Sequence, residues 1–524
     1  MGALFVFDVL IQGGRVFDGR AREARFCDIA VSGDRIVAVD TLPDAQARTC
    51  IDATDKIVCP GFIDVHSHSD AYLLIEPQAA CKLHQGVTTE IVGNCGASAA
   101  PLAGEYRMPS DWADKTYPGS WKTVAEYRAL LDTVKPAINV ALLIGHNTLR
   151  VGVRGYGDGH ASEDELREME ARLAQALDEG GRGFSSGLEY VPGMFAPPEE
   201  LVRLARVAAG KNALYTSHMR NEAEGLVESV KETLDVGRRS GARVQVSHFK
   251  ALGRDNWHLL EPAIACIDAA RAEGMQVAAD RYPYTCSSTS LDIIFPAWSE
   301  DGGRFAVLDR LRDKATRARI RDDLLRKYDS DYWETVTIGS TLHPDNAAFR
   351  GQSLPDVARQ LDMQPVDAVL HLTDSDDLET TAFFFGMSEA NMLRVFDLPY
   401  VMLGSDGSLR APEGPLSHDH PHPRAYGSFP RFLRMAMDGQ TISLGEAIAR
   451  MTSISADTFG LDDRGVIAPG KKADIVVLDP ERVNDCSTFG KPHQFAEGTT
   501  EVIVNGIVAM RHGLLTGERA GAFL

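Results

Sequence analysis

Eight short apolar stretches of this chain read as strands, and helical patterns separate several of them. The strand-like stretches are IVCPGFIDVHSH (57–68), TTEIVGNCG (88–96), INVALLIGHN (138–147), GGRGFSSGLEY (180–190), ALYTSHMR (213–220), ARVQVSHFK (242–250), MQVAADRYPY (275–284) and YVMLGSDGS (400–408). The segment SEDELREMEARLAQALDEG (162–180) opens with capping-box spacing, Ser162 to Glu165, and ends on glycine. PPEELVRLARVAAG (197–210) and GLVESVKETLDVGRRSG (225–241) follow the same rule. Strands alternating with helices argue for a parallel sheet. Eight such units point to a closed barrel rather than an open sheet.

Two regions break the alternation. Residues 1–56 and 465–524 are strand-like and turn-rich, and their GG and SGD pairs suit antiparallel hairpins. Both chain ends are expected to join in one small β-sandwich domain beside a barrel spanning 57–464. The second exception is an insertion, residues 287–399, between strands seven and eight. A simple crossover does not need that length, and long loops in compact domains usually serve the site. Its stretch FAVLDRLRDKATRARIRDDLLRKY reads as helix. The expected fold class is α/β: a (β/α)8 TIM-like barrel, a terminal β-sandwich and this insertion.

The formal net charge of −20 over 524 residues repels nucleic acid and anionic membrane. No window holds the roughly 18 apolar residues of a membrane span, and the N-terminus lacks the basic start of a signal peptide. The cytoplasm is the expected compartment. Eight cysteines are sparse, and cytosolic thiols stay reduced. That weighs against a disulfide at Cys95 in EIVGNCG.

The strand ends carry the chemistry. In a (β/α)8 barrel they converge on one mouth, where active sites lie. Strand one ends His66-Ser67-His68, and period-two alternation aims both imidazoles the same way. Strand two ends in Cys95, five in His218, six in His248 and eight in Asp406. An HxH pair alone is weak, and a lone histidine is commonly a core residue. Five strands ending in a ligand type at the equivalent place argue for a metal centre. Imidazole and thiolate suit zinc, and a carboxylate can complete the set. His418, His420 and His422 in SHDHPHPRAYG alternate with proline and read instead as a rigid extended loop. Arg424 beside them can clamp a substrate carboxylate. Lys250 shares a strand face with His248, and Tyr282 lies at the mouth end of strand seven, so both are candidate substrate contacts. Glu189 ends strand four and is left unassigned.

Taken in order, PGFIDVHSHSD, GVTTEIVGNCG, SSGLEYVPG, TSHMRNE, VSHFK, DRYPYT, GSDG, HPHPR and APGKKADIVVLD resemble the D-aminoacylase (N-acyl-D-amino-acid deacylase) branch of the amidohydrolase superfamily over essentially the whole chain. Cysteine after strand two, with no lysine at the end of strand four, distinguishes this branch from relatives that use a carboxylated lysine. The resemblance implies a tight zinc on Cys95, His218 and His248. It implies a second, weaker metal position on His66, His68 and Asp406, with Cys95 able to bridge. Asp406 would be general base and acid, and Arg424, Lys250, Tyr282 and Ser288 would grip the substrate carboxylate. The expected reaction is hydrolysis of small-molecule N-acyl-D-amino acids. The apolar loop LDIIFPAW (291–298), with no Arg or Lys, favours apolar side chains such as Leu, Met or Phe. A homo-oligomer is compatible with the sequence. The rival readings are a cyclic-amide hydrolase of the hydantoinase or dihydroorotase kind, a dipeptidase of the same superfamily, and a non-catalytic scaffold, which should lack the ligands seen here.

Overall fold

The structure, a computed structural model, describes residues 6–104, 112 and 115–524. The first five residues of the expected terminal β region lie outside the described residues. Eight parallel strands pair in chain order: β1 (Phe62–Asp64), β2 (Val87–Val92), β3 (Asn139–Gly145), β4 (Gly183–Gly187), β5 (Leu214–His218), β6 (Val244–Val246), β7 (Val277–Arg281) and β8 (Val401–Leu403). Almost every residue in them is buried. Helices cover the outside, which is why these strands read as near-continuous apolar runs rather than alternating ones. The predicted helices form at Glu163–Asp178, Pro198–Gly210 and Leu226–Ser240. Ser162 and Glu165 make the expected reciprocal capping box, and Gly241 ends the third helix in the left-handed conformation.

The expected first strand is two. Ile57–Pro60 pairs antiparallel with Ile475–Leu478, outside the barrel. The chain then passes Gly61 before entering β1. A Cβ at Gly61 would lie 2.2 Å from Thr88 Oγ1, so only glycine permits this passage.

Strands from both chain ends form one nine-stranded sheet with its own apolar core, including Ile29, Val31, Val58, Ile475 and Ile503. The SGD hairpin forms as expected, with Ser32 opposite Arg35. Gly13-Gly14 is instead a bulge inside the strand Val6–Val16. Gly13 takes φ +72°, and a Cβ on Gly14 would come within 2.5 Å of Val58.

The insertion builds a three-stranded antiparallel sheet from Ser287–Ser290, Val336–Ile338 and Thr381–Phe384. It has a separate core that includes Leu291, Val307, Ile320, Trp333 and Val369. Its expected single helix is two, Gly303–Arg312 and Lys314–Lys327. Asp313 breaks it and caps the second helix by accepting from the amides of Ala315 and Thr316. Among the described residues no helix is long and apolar enough to cross a membrane.

Candidate metal centre and active site

The six ligand-type residues meet at the C-terminal mouth. His66 and His68 follow β1, Cys95 follows β2, His218 closes β5, His248 follows β6 and Asp406 follows β8. Their donor atoms form two sets that share Cys95: His66, His68, Cys95 and Asp406, and Cys95, His218 and His248. Cys95, His248 and Asp406 all take left-handed backbone conformations, with φ of 52°, 34° and 51°. Such non-glycine strain persists where the surroundings over-determine it, and it clusters at functional sites. Around Cys95 the turn is tight: Gly93 and Gly96 also have positive φ, and a Cβ on Gly93 would strike the Leu143 carbonyl oxygen at 2.1 Å.

Cys95 Sγ lies 3.2 Å from His66 Nε2 and 3.5 Å from His248 Nε2. His248 Nε2 is 2.9 Å from His218 Nδ1. Asp406 Oδ1 is 3.2 Å from His68 Nε2 and 3.4 Å from His66 Nε2. Zinc bonds of about 2.0–2.3 Å in a tetrahedron set donors roughly 3.3–3.8 Å apart. The observed spacings of 2.9–3.5 Å lie at or just below that range, and a thiolate, imidazole nitrogens and a carboxylate are donor types that zinc takes.

Three of the histidines turn their other ring nitrogen to a carboxylate. His66 Nδ1 meets Asp280 Oδ1 at 3.1 Å, His218 Nε2 meets Glu189 Oε2 at 3.0 Å, and His248 Nδ1 meets Glu222 Oε1 at 2.9 Å. Outer carboxylates of this kind fix the tautomer and aim of a ligating imidazole. The unassigned Glu189 thus has a partner. Asp280 and Glu222 escaped the sequence reading. Asp280 was findable, since it stands at the C-terminal end of strand seven, where the same rule picks out the other ligands. Glu222 sits in the irregular segment after His218, where no periodicity marks it.

The electrostatics follow from burial and neighbours. Burial pushes the Cys95 thiol up, but His66 and His248 outweigh it and hold the group well below its ordinary range. Burial likewise opposes ionisation of Asp406. Arg424, then His248 and His66, overcome this and hold its carboxyl well below the usual carboxylate range.

The substrate candidates line the same cavity, of about 2360 Å³, together with Asp406 and the insertion's Ser288 and Ile293. Arg424 Nη1 is 2.7 Å from Asp406 Oδ2, and its Nη2 donates to the Ser288 carbonyl at 3.1 Å. Its guanidinium lies 4.9 Å from the Tyr282 ring centroid. The Tyr282 hydroxyl is buried and has no hydrogen-bond partner among the described residues. Lys250 lies past the end of β6 and is ion-paired with Glu222, which holds its ammonium above the ordinary value against burial. His418, His420 and His422 do not converge. His418 is exposed, and His420 Nε2 bonds the Phe489 carbonyl at 2.6 Å. His422 bonds the Cys286 carbonyl at 3.1 Å and accepts from the Arg424 amide at 2.9 Å.

A (β/α)8 barrel with sulfur, nitrogen and oxygen donors gathered at its C-terminal mouth is the architecture of a metal-dependent hydrolase. The family model of amidohydrolases matches residues 49–290 and 401–510, on either side of the insertion. The N-acyl-D-glutamate deacylase of Alcaligenes xylosoxydans xylosoxydans is 38% identical over 95% of this chain and 93% of its own length. The D-aminoacylase of the same organism is 34% identical, covering 99% of this chain and 97% of its own. A crystal structure of the N-acyl-D-glutamate deacylase of Bordetella bronchiseptica, complexed with zinc and a phosphonate mimic of the tetrahedral intermediate, superimposes with a TM-score of 0.85. It is 35% identical and covers 99% of this chain and 100% of that one. The chain belongs to the amidohydrolase family, in its D-aminoacylase branch.

Proposed function

We propose that this protein is a zinc-dependent N-acyl-D-amino-acid deacylase that prefers apolar side chains. The observation that carries the reading is the gathering of two metal-donor sets, Asp406 and an arginine in one cavity. Cys95, His218 and His248 would hold the tight zinc, and His66, His68 and Asp406 a second, weaker one. Bound there, zinc supplies Lewis acidity toward water and toward the amide carbonyl at neutral pH. Asp406, kept ionised by Arg424, takes the proton from the attacking water. It then delivers that proton to the leaving nitrogen, which departs poorly as an anion. Arg424, Lys250, Tyr282 and Ser288 hold the α-carboxylate. Fixing carboxylate, scissile carbonyl and side chain at three points selects one enantiomer.

The apolar preference rests on the wall at 291–298, which has no cation to meet a second carboxylate. Its one charged residue, Asp292, is acidic and would repel one. A cyclic-amide hydrolase is less well supported, because no lysine occurs in 180–190 to bridge two metals. We assign the catalytic barrel to 57–464, including the insertion 287–399, and the small β domain to 1–56 with 465–524, except that Ile57–Pro60 pairs into the sheet of the β domain. Free thiols at all eight cysteines suit a cytoplasmic enzyme. The test is a turnover screen of N-acyl-D- and N-acyl-L-amino acids with added zinc. Faster turnover of N-acetyl-D-leucine than of N-acetyl-D-glutamate is expected. Preference for the L series, or for D-glutamate, would overturn the respective half of the reading.

A further inference from the structure

The barrel's hydrogen-bond ladder does not run all the way round. β8 pairs with β7 and β1 with β2, but between β8 and β1 the described strands share no ladder. Just past their ends the two segments meet at the single bridge Ser67–Gly407. The backbone bonds that tie them there are Asp406 N to His66 O at 2.8 Å and His68 N to Gly407 O at 3.1 Å. Three proposed metal ligands, His66, His68 and Asp406, stand on this seam.

Beneath the seam lies a buried ion cluster. Lys82, on the short helix Ala80–Leu83, has its Nζ 2.9 Å from Asp64 Oδ2 and 2.8 Å from Glu90 Oε1, and all three side chains are 0% exposed. The same ammonium donates to Ser405 Oγ at 3.2 Å. Ser405 in turn donates through its amide to Asp64 Oδ1 at 2.8 Å and through its hydroxyl to Asp64 Oδ2 at 2.5 Å. On the other side of the seam, Ser67 and Ser69 donate to Glu90 Oε1 at 2.5 and 2.9 Å. His66, His68 and Asp406 join the donor set at the mouth, while Ser67 and Ser69 beside them bond Glu90 and Ser405 bonds Lys82 and Asp64.

Asp406 sits at φ 51°. Its preceding residue is tied to Asp64 and Lys82, and the next residue, Gly407, donates its amide to Ser405 Oγ at 3.1 Å. The cluster therefore over-determines the strained residue from both sides. Buried charges of this kind are a poor source of stability, since well-packed apolar groups would serve as well or better.

We propose that Lys82 is a positioning residue: acting through Ser405, it holds the Asp406 carboxylate in register with His66 and His68 across the seam. The proposal rests on the deacylase reading for its kinetic consequences but not for its geometry. The test is a double-mutant cycle of Lys82→Met and Ser405→Ala in the zinc-loaded enzyme, together with a crystal structure of the Ser405→Ala variant. Ser405→Ala keeps all three buried charges, so it reports even where Lys82→Met fails to fold. Displacing a reacting group by about an ångström costs on the order of a hundredfold. The expected result is a fall in kcat of roughly ten- to a hundredfold with KM within about twofold. The two effects should be non-additive, and the Asp406 carboxylate should be visibly displaced relative to His66 and His68. Wild-type kcat with Asp406 unmoved in Ser405→Ala would overturn the proposal, and so would a lowered Tm with full turnover per folded enzyme. An inactive wild-type enzyme would refute the deacylase reading alone, because displacement of Asp406 is read from the structure.

Discussion

Replacing Arg424 by methionine should do two separable things. Arg424 Nη1 lies 2.7 Å from Asp406 Oδ2, with the side chains 9% and 11% exposed, so solvent screens the pair little. Arg424 is the foremost of the groups that hold the Asp406 carboxyl low against burial; His248 and His66 follow. An adjacent arginine lowers an aspartate by about one to three pH units. With the histidines still in place, part of the depression survives. The acid limb of kcat/KM, which reports the free enzyme's base, should therefore move to higher pH. The direction follows from the charge: losing the cation favours the protonated, inactive form. On the plateau above this limb, loss of the charge-assisted bond to the substrate carboxylate should cost about 1.5–3 kcal/mol. That corresponds to roughly 10- to 150-fold in kcat/KM. Arg424→Lys separates the two effects. A lysine restores the charge and so the limb, but not the fork that binds a carboxylate bidentately, so plateau kcat/KM should stay depressed. The assay is a pH series with N-acetyl-D-leucine on wild-type and both variants at matched zinc content. An unshifted acid limb in the methionine variant would refute the assignment of Asp406 as a base tuned by Arg424.

Asp406→Asn should keep the tight zinc and lose about 10²–10⁴-fold in kcat; metal analysis and turnover on one preparation check both. Cys95→Ser should weaken the tight zinc in a chelator competition. The loss should exceed the roughly 10–100-fold typical of an outer-shell partner, since the thiolate itself is the donor. Glu300 in the insertion gives a stability test. Burial, then the neighbouring Asp292, pushes its carboxyl up to about 8, from an ordinary value of 4.5. The folded chain thus holds a proton that the unfolded chain releases, so stability falls as pH rises from about 4.5 to about 8. Glu300→Gln should flatten that part of the Tm–pH curve and gain on wild type toward pH 8; parallel curves for the two proteins would refute it.

The sequence alone carried a large share of this protein because its strongest signals are local. Period-two alternation put His66 and His68 on one face before any partner was known. The Ser162–Glu165 spacing fixed a helix start from four residues. The rule that barrel strands deliver function at their C-terminal ends turned Cys95, His218, His248 and Asp406 into one site. Tertiary structure decided what depends on non-local approach. It split the expected first strand at Gly61, because Ile57–Pro60 finds its partner in Ile475–Leu478 of the terminal sheet. It gave His66 its Asp280, 214 residues away in sequence, and gave His248 and Lys250 their shared Glu222. It also joined Lys82 to Ser405 across the seam, 323 residues apart. No periodicity encodes such pairs. A chain's local pattern fixes which face a side chain occupies, and barrel closure alone fixes which distant side chain it meets there.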